Sequence, residues 1–114
     1  MSRLDKIGII GIGSYLPATY MTAKDISLAT GIPEDVIDLK FGVSRKPIPG
    51  PGDTTSYMGL QAAKNALEMA KVSPLDLDLV IWNGAQHKDY PCWLASLKVA
   101  YDLGAQNAWG FDME

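Results

Sequence analysis

Thr54-Thr-Ser-Tyr-Met-Gly-Leu-Gln-Ala-Ala-Lys-Asn-Ala-Leu-Glu-Met-Ala-Lys71 is the stretch that decides the fold. Met58, Ala62, Ala66, Met69 and Ala70, with Leu60, Ala63 and Leu67 beside them, recur at three- and four-residue steps. That is the spacing of one wide face of a helix. The small residues on this face leave room for another helix or a sheet to come close. Thr54 stands where an N-cap belongs, and Ser73-Pro74 ends the run. Asp53-Thr54-Thr55-Ser56 could cradle an anion at a helix start; ordinary capping accounts for it equally well.

Outward from this helix the pattern alternates. Residues 6–13, Lys-Ile-Gly-Ile-Ile-Gly-Ile-Gly, predict an Ile-rich strand buried on both faces, its glycines permitting close approach of a neighbour. Ser14–Pro17 reads as a turn. Thr22 caps a helix over 23–30, with Asp25 completing a capping box and Gly31 closing it. Pro33 opens a second short helix that ends near Lys40. Residues 43–49 carry two prolines, so a strand there is short or at an edge. Gly50-Pro-Gly-Asp53 is a loop. Leu79–Trp82 reads as a short buried strand, Asn83–Pro91 as a polar loop and Trp93–Leu103 as a helix stopped by Gly104. Asn107–Met113 reads as a final strand. The order β-α-α-β-α-β-α-β implies an α/β fold, a largely parallel sheet with helices packed on its faces.

The 114 residues suit one compact domain, 1–114, and a 47% hydrophobic share is enough for a core. No uncharged apolar run approaches the roughly 20 residues of a membrane span, and Asp5 and Lys6 break any secretory signal. A net charge of −3 without a Lys/Arg stripe argues against nucleic acid. A single cysteine excludes an internal disulfide or a Cys-cluster metal site and suits a reducing cytoplasm.

Gly11-Ile-Gly13 begins like a dinucleotide fingerprint, but Leu16 replaces the third glycine, so a strand-end turn is the better reading. His87, the only histidine, reads as a solvated loop residue, and Asp76 and Asp78 as solvated carboxylates. Cys92 opens a predicted helix, whose dipole would favour thiolate, and a Cys92–His87 pair is the sharpest purely local chemistry. The bland alternative makes Cys92 a small buried apolar residue.

Several segments, taken in order, resemble the N-terminal third of the 3-oxoacyl-acyl-carrier-protein synthase III-like condensing enzymes of the thiolase superfamily. They are Ile9–Pro17, Lys40-Phe-Gly-Val43, Asp53–Met58, Ala62-Ala63 with Ala66–Ala70, Leu77–Ile81, Asp89-Tyr-Pro91, Leu103–Asn107 and Phe111-Asp112. The resemblance implies an incomplete thiolase-like half-domain. It also implies a parent enzyme of fatty acid biosynthesis: a cytoplasmic homodimer that condenses an acyl thioester with malonyl-carrier protein, losing CO₂. A cysteine thiolate accepts the acyl group, and a His and an Asn stabilise charge. The resemblance puts that cysteine just beyond Glu114, and the His and Asn later still. The chain alone is therefore expected to be inactive and to work with the remainder of the enzyme, with acyl carrier protein and CoA thioester as partners. No cofactor or metal is implied.

By the same resemblance, Ile32, Val36 and Lys40 fall on the CoA side. Val36 stands where the family often has a Trp, Lys40 where it has an Arg, and Ile32 where it has a small polar residue. Cys92 falls at the acyl pocket and dimer interface, or Tyr90 does if the 83–91 loop shifts by one. A hydroxymethylglutaryl-CoA synthase-like enzyme is the alternative in the superfamily, but Asn83–Lys88 offers no carboxylate for its general base. A non-catalytic module that associates through a strand edge is the alternative from another class.

Overall fold

The structure, a computed structural model, describes residues 7–84 and 88–113. The chain forms two compact units: Leu16–Asp53, and the segments before and after it.

In the smaller unit, β1 (Thr19–Thr22) runs straight into α1 (Ala23–Thr30). Thr22 Oγ1 accepts the Asp25 N–H at 3.2 Å, and the Asp25 carboxylate accepts the Thr22 N–H at 2.8 Å, so the capping box forms as expected. Gly31, at φ 75°, closes the helix in the left-handed conformation that glycine tolerates. The second helix is a single α-turn that widens into a π-turn, Val36–Lys40, anchored by the buried Ile37. β2 (Arg45–Ile48) pairs antiparallel with β1, Thr19 opposite Ile48 and Thr22 opposite Arg45. β1 is absent from the sequence reading because its four residues are too few to show a period.

In the larger unit, α2 (Thr55–Ala70) follows its cap, Thr54, and stops at Lys71, which adopts φ 56°. A 3₁₀ turn, Pro74–Asp76, leads to β3 (Leu79–Asn83); α3 (Ala95–Leu103) ends at Gly104; β4 (Trp109–Met113) pairs parallel with β3. Among the described residues the apolar core is Leu60, Ala95, Val99, Ala100 and Ala105 here, with Ala23 and Ile37 in the smaller unit.

Three expectations need correction. The sheet is not one mostly parallel layer: among the described residues two two-stranded sheets form, one antiparallel and one parallel, in a mixed α/β arrangement. Residues 7–13 join no ladder among the described residues, and Ile7, Ile9, Ile10 and Ile12 stay exposed. They lie instead along the alanine face of α2. A Cβ at Gly11 would come within 2.8 Å of Ala70 Cβ, and one at Gly13 would overlap the Ala62 carbonyl. Asn65 Nδ2 donates to the Ser14 carbonyl at 2.9 Å and fastens the far end. The glycines thus serve backbone-to-helix packing, as their pattern suggested.

The third correction concerns β3, which is not buried on both faces. Val80 and Trp82 point inward, whereas Leu79 and Ile81 share an open face with Trp109, Phe111 and Met113 of β4. The inward side of β4 carries Gly110 and Asp112 instead of large apolar groups. Gly110 admits Ser96 of α3, whose Oγ and Cβ would lie 3.0 and 3.1 Å from an added Cβ.

Candidate functional site

The candidate site residues of the larger unit, Tyr90 and Cys92, lie in the loop between β3 and α3, and an aspartate holds each end of it. Asp89 sits at the start of α2. Its carboxylate accepts the N–H of Thr55 at 2.7 Å and of Ser56 at 3.1 Å, together with the Ser56 hydroxyl. The helix start that could have cradled an anion is therefore filled by the chain's own side chain. Burial pushes the Asp89 carboxyl up, but the hydrogen bonds from Ser56, Thr55 and Thr54 outweigh it and hold it below the usual range.

Asp112, from β4, does the same for α3. Leu94 is the N-cap residue and offers no side-chain bond. The Asp112 carboxylate supplies it, accepting the N–H of Ala95 at 2.9 Å and of Ser96 at 3.0 Å. Lys88 Nζ lies 3.1 Å from the same carboxylate, whose side chain is only 3% exposed. Burial again raises the pKa; Ser96, Ala95 and Lys88 together bring it down to about 2. In sequence the two aspartates stand in the motifs Asp89-Tyr-Pro91 and Phe111-Asp112, neither of which announces a helix cap. Their capping role joins residues 16 to 34 positions apart, beyond the reach of local patterns.

Between these two fixed points lie Tyr90 and Cys92. The Tyr90 ring meets Trp93 edge to face at 5.1 Å and is otherwise exposed. Cys92 adopts φ 60°, uncommon for a residue with a Cβ. It is also exposed, which corrects the buried-apolar reading, and it precedes α3 rather than opening it. Pro91 and the pinned residues on either side leave its backbone little freedom to bury the thiol. His87 lies outside the described residues, and with it the Cys92–His87 pair.

Ile32, Val36 and Lys40 belong to the smaller unit. Ile32 follows the Gly31 stop and is 37% exposed; Val36 and Lys40 are the first and last residues of the π-turn, half-buried and exposed respectively. Asp76 and Asp78 are exposed, as expected. Among the described residues no three His, Cys, Asp or Glu side chains cluster as metal ligands would, and no helix is long and apolar enough to cross a membrane.

The two helices, the parallel strand pair and the clamped loop recur together in solved condensing enzymes. Their arrangement matches the priming beta-ketosynthase from the R1128 polyketide biosynthetic pathway with a TM-score of 0.86 and 32% identity, over 92% of this chain and 31% of that one. No protein-family model matches the chain. Over 105 residues it is 33% identical to the beta-ketoacyl-[acyl-carrier-protein] synthase III of Streptomyces lividans, covering 92% of this chain and 31% of that protein. It is 32% identical over 105 residues to the hydroxymethylglutaryl-CoA synthase of Pyrococcus horikoshii, covering 92% and 28%. The chain is a relative of the beta-ketoacyl synthase III-like condensing enzymes of the thiolase superfamily, and spans about a third of the length of the curated relatives it matches.

Proposed function

We propose that this chain supplies the N-terminal part of a decarboxylating condensing enzyme, which joins an acyl thioester to malonyl-carrier protein in fatty acid biosynthesis. The observation that supports the reading is the 33% identity to the beta-ketoacyl-[acyl-carrier-protein] synthase III of Streptomyces lividans over 92% of the chain. In this reading Ile32, Val36 and Lys40 face the CoA donor, with Lys40 acting as a point charge toward its phosphates rather than as a bidentate fork. Tyr90 and Cys92 border the acyl pocket, beside a homodimer interface. The chain itself contributes scaffold and no catalytic group, so it transfers no acyl group alone.

Hydroxymethylglutaryl-CoA synthases match to nearly the same identity, which keeps them as a second reading. They need a carboxylate base just after the strand corresponding to β3. Here the first carboxylate after β3 is Asp89, and three hydrogen bonds already hold its oxygens in the ionised form. A group so stabilised is a poor proton acceptor. Condensation with malonyl-carrier protein is therefore the favoured reaction.

The test has two arms. The purified chain, given radiolabelled acetyl-CoA and malonyl-carrier protein, should form no 3-oxoacyl product and retain no label on Cys92. A chimera in which residues 7–113 replace the matching third of a beta-ketoacyl-carrier-protein synthase III should condense the two substrates. A chimera that folds, dimerises and forms no product overturns the reading.

A further inference from the structure

We infer that Asp89 is a positioning residue for acyl-chain selectivity, holding Tyr90 and Cys92 in place through the start of α2. This rests on the acyl-pocket role proposed for those two residues.

The geometry is that of a short loop pinned at both ends. On one side Asp89 takes the N–H groups of Thr55 and Ser56, and the Ser56 side chain that donates to it is buried. On the other, α3 begins at Ala95, whose N–H is held by Asp112, and Asp112 is also paired with Lys88, the residue before Asp89. Residues 90–94 must bridge two fixed helix starts. Within them Tyr90 is braced against Trp93, and Cys92 is held in a left-handed backbone conformation. Such a conformation persists only where its surroundings over-determine it. Unpinning one end restores conformational freedom to the whole bridge. A pocket wall that moves loses its discrimination between chain lengths, because a single methylene is separated by contacts of ångström precision.

Cys92 is the sole cysteine, so a nitroxide spin label can be placed there on the unaltered chain. Asp89→Asn and Ser56→Ala should each sharpen the label's spectrum toward the mobile limit while circular dichroism shows the helices intact. The double variant should be no more mobile than the more mobile single one, since both changes cut the same link. Unchanged spectra in both single variants overturn the clamp. In the active chimera, both substitutions should shift the kcat/KM ratio between acetyl and longer acyl thioesters by about tenfold in the same direction. A uniform loss across all chain lengths would reduce Asp89 to a structural role and overturn its part in selectivity. A chimera inactive with Asp89 in place overturns the functional reading and selectivity with it; the spin label still decides the clamp.

Discussion

The Asp112 carboxylate accepts the Ala95 N–H at 2.9 Å, reaching from β4 to the first turn of a helix seventeen residues earlier in the chain. One side chain thereby ties β4 to the start of α3 and pairs with Lys88. Ser96 is wholly buried at this junction, above Gly110.

Replacing Asp112 with Ala should destabilise the larger unit by about 2 kcal/mol, the upper end of a lost N-cap. Two helical N–H groups lose their acceptor and the Lys88–Asp112 ion pair is lost. Urea unfolding followed by circular dichroism should show an earlier midpoint at an unchanged slope. A variant as stable as the parent chain would refute the capping role.

Acid should undo the same junction. Asp112 titrates at about 2 in the folded chain, against an ordinary value of 3.8, and Asp89 is lowered as well. Between those values the unfolded chain binds more protons, so stability rises with pH. The contribution is complete above about pH 4 and is lost as pH falls through about 2. Asp112→Asn should flatten the stability curve in that window, as read by thermal melts at closely spaced pH values. A curve with its slope intact would mean that other groups carry the acid sensitivity.

Gly13→Ala and Gly8→Ala should part company. A methyl at residue 13 overlaps the α2 backbone, whereas one at residue 8 meets nothing within 4 Å. The first should cost about 1–3 kcal/mol and speed hydrogen exchange along α2; the second should be close to neutral. Equal effects would show that residues 7–13 do not pack on α2 as described.

The uncovered face of the parallel strand pair predicts self-association of the isolated chain. Leu79, Ile81, Trp109, Phe111 and Met113 form one apolar surface, with Trp109 65% exposed. Light scattering should show the average mass rising with concentration, and Ile81→Lys, at a half-exposed position, should suppress the rise. A monomer at all concentrations would count against this and against the interaction-module alternative.

How much of this was legible in sequence follows from range. Thr22 with Asp25, Gly31, Thr54 and Gly104 announce helix ends because capping is settled within four residues. The alanine face of α2 and Gly11 and Gly13 each signalled a close approach, and they proved to be its two sides. Strand pairing lies in no single segment. The isoleucines of residues 7–12 carry the pattern of an interior strand, yet a strand is defined by its neighbour, and none pairs with them among the described residues. At the loop, the residue types were readable and their connections were not. Asp89 and Ser56 are 33 positions apart, so nothing in either's surroundings names the other.

Among the described residues each of the three α-helices already keeps an aspartate at its positive end: Asp25 for α1, Asp89 for α2 and Asp112 for α3. These are resident counter-ions, covalently attached and impossible to dilute away. A phosphorylated ligand approaching any of these helix starts would meet negative charge where the helix dipole alone would have attracted it. In the proposed reading, recognition of such a ligand falls to exposed cationic side chains, Lys40 foremost. Attraction of that kind is screened by added salt over the Debye length, about 8 Å at physiological ionic strength. In the proposed reading, the salt dependence of ligand capture is thus set by how this chain starts its helices.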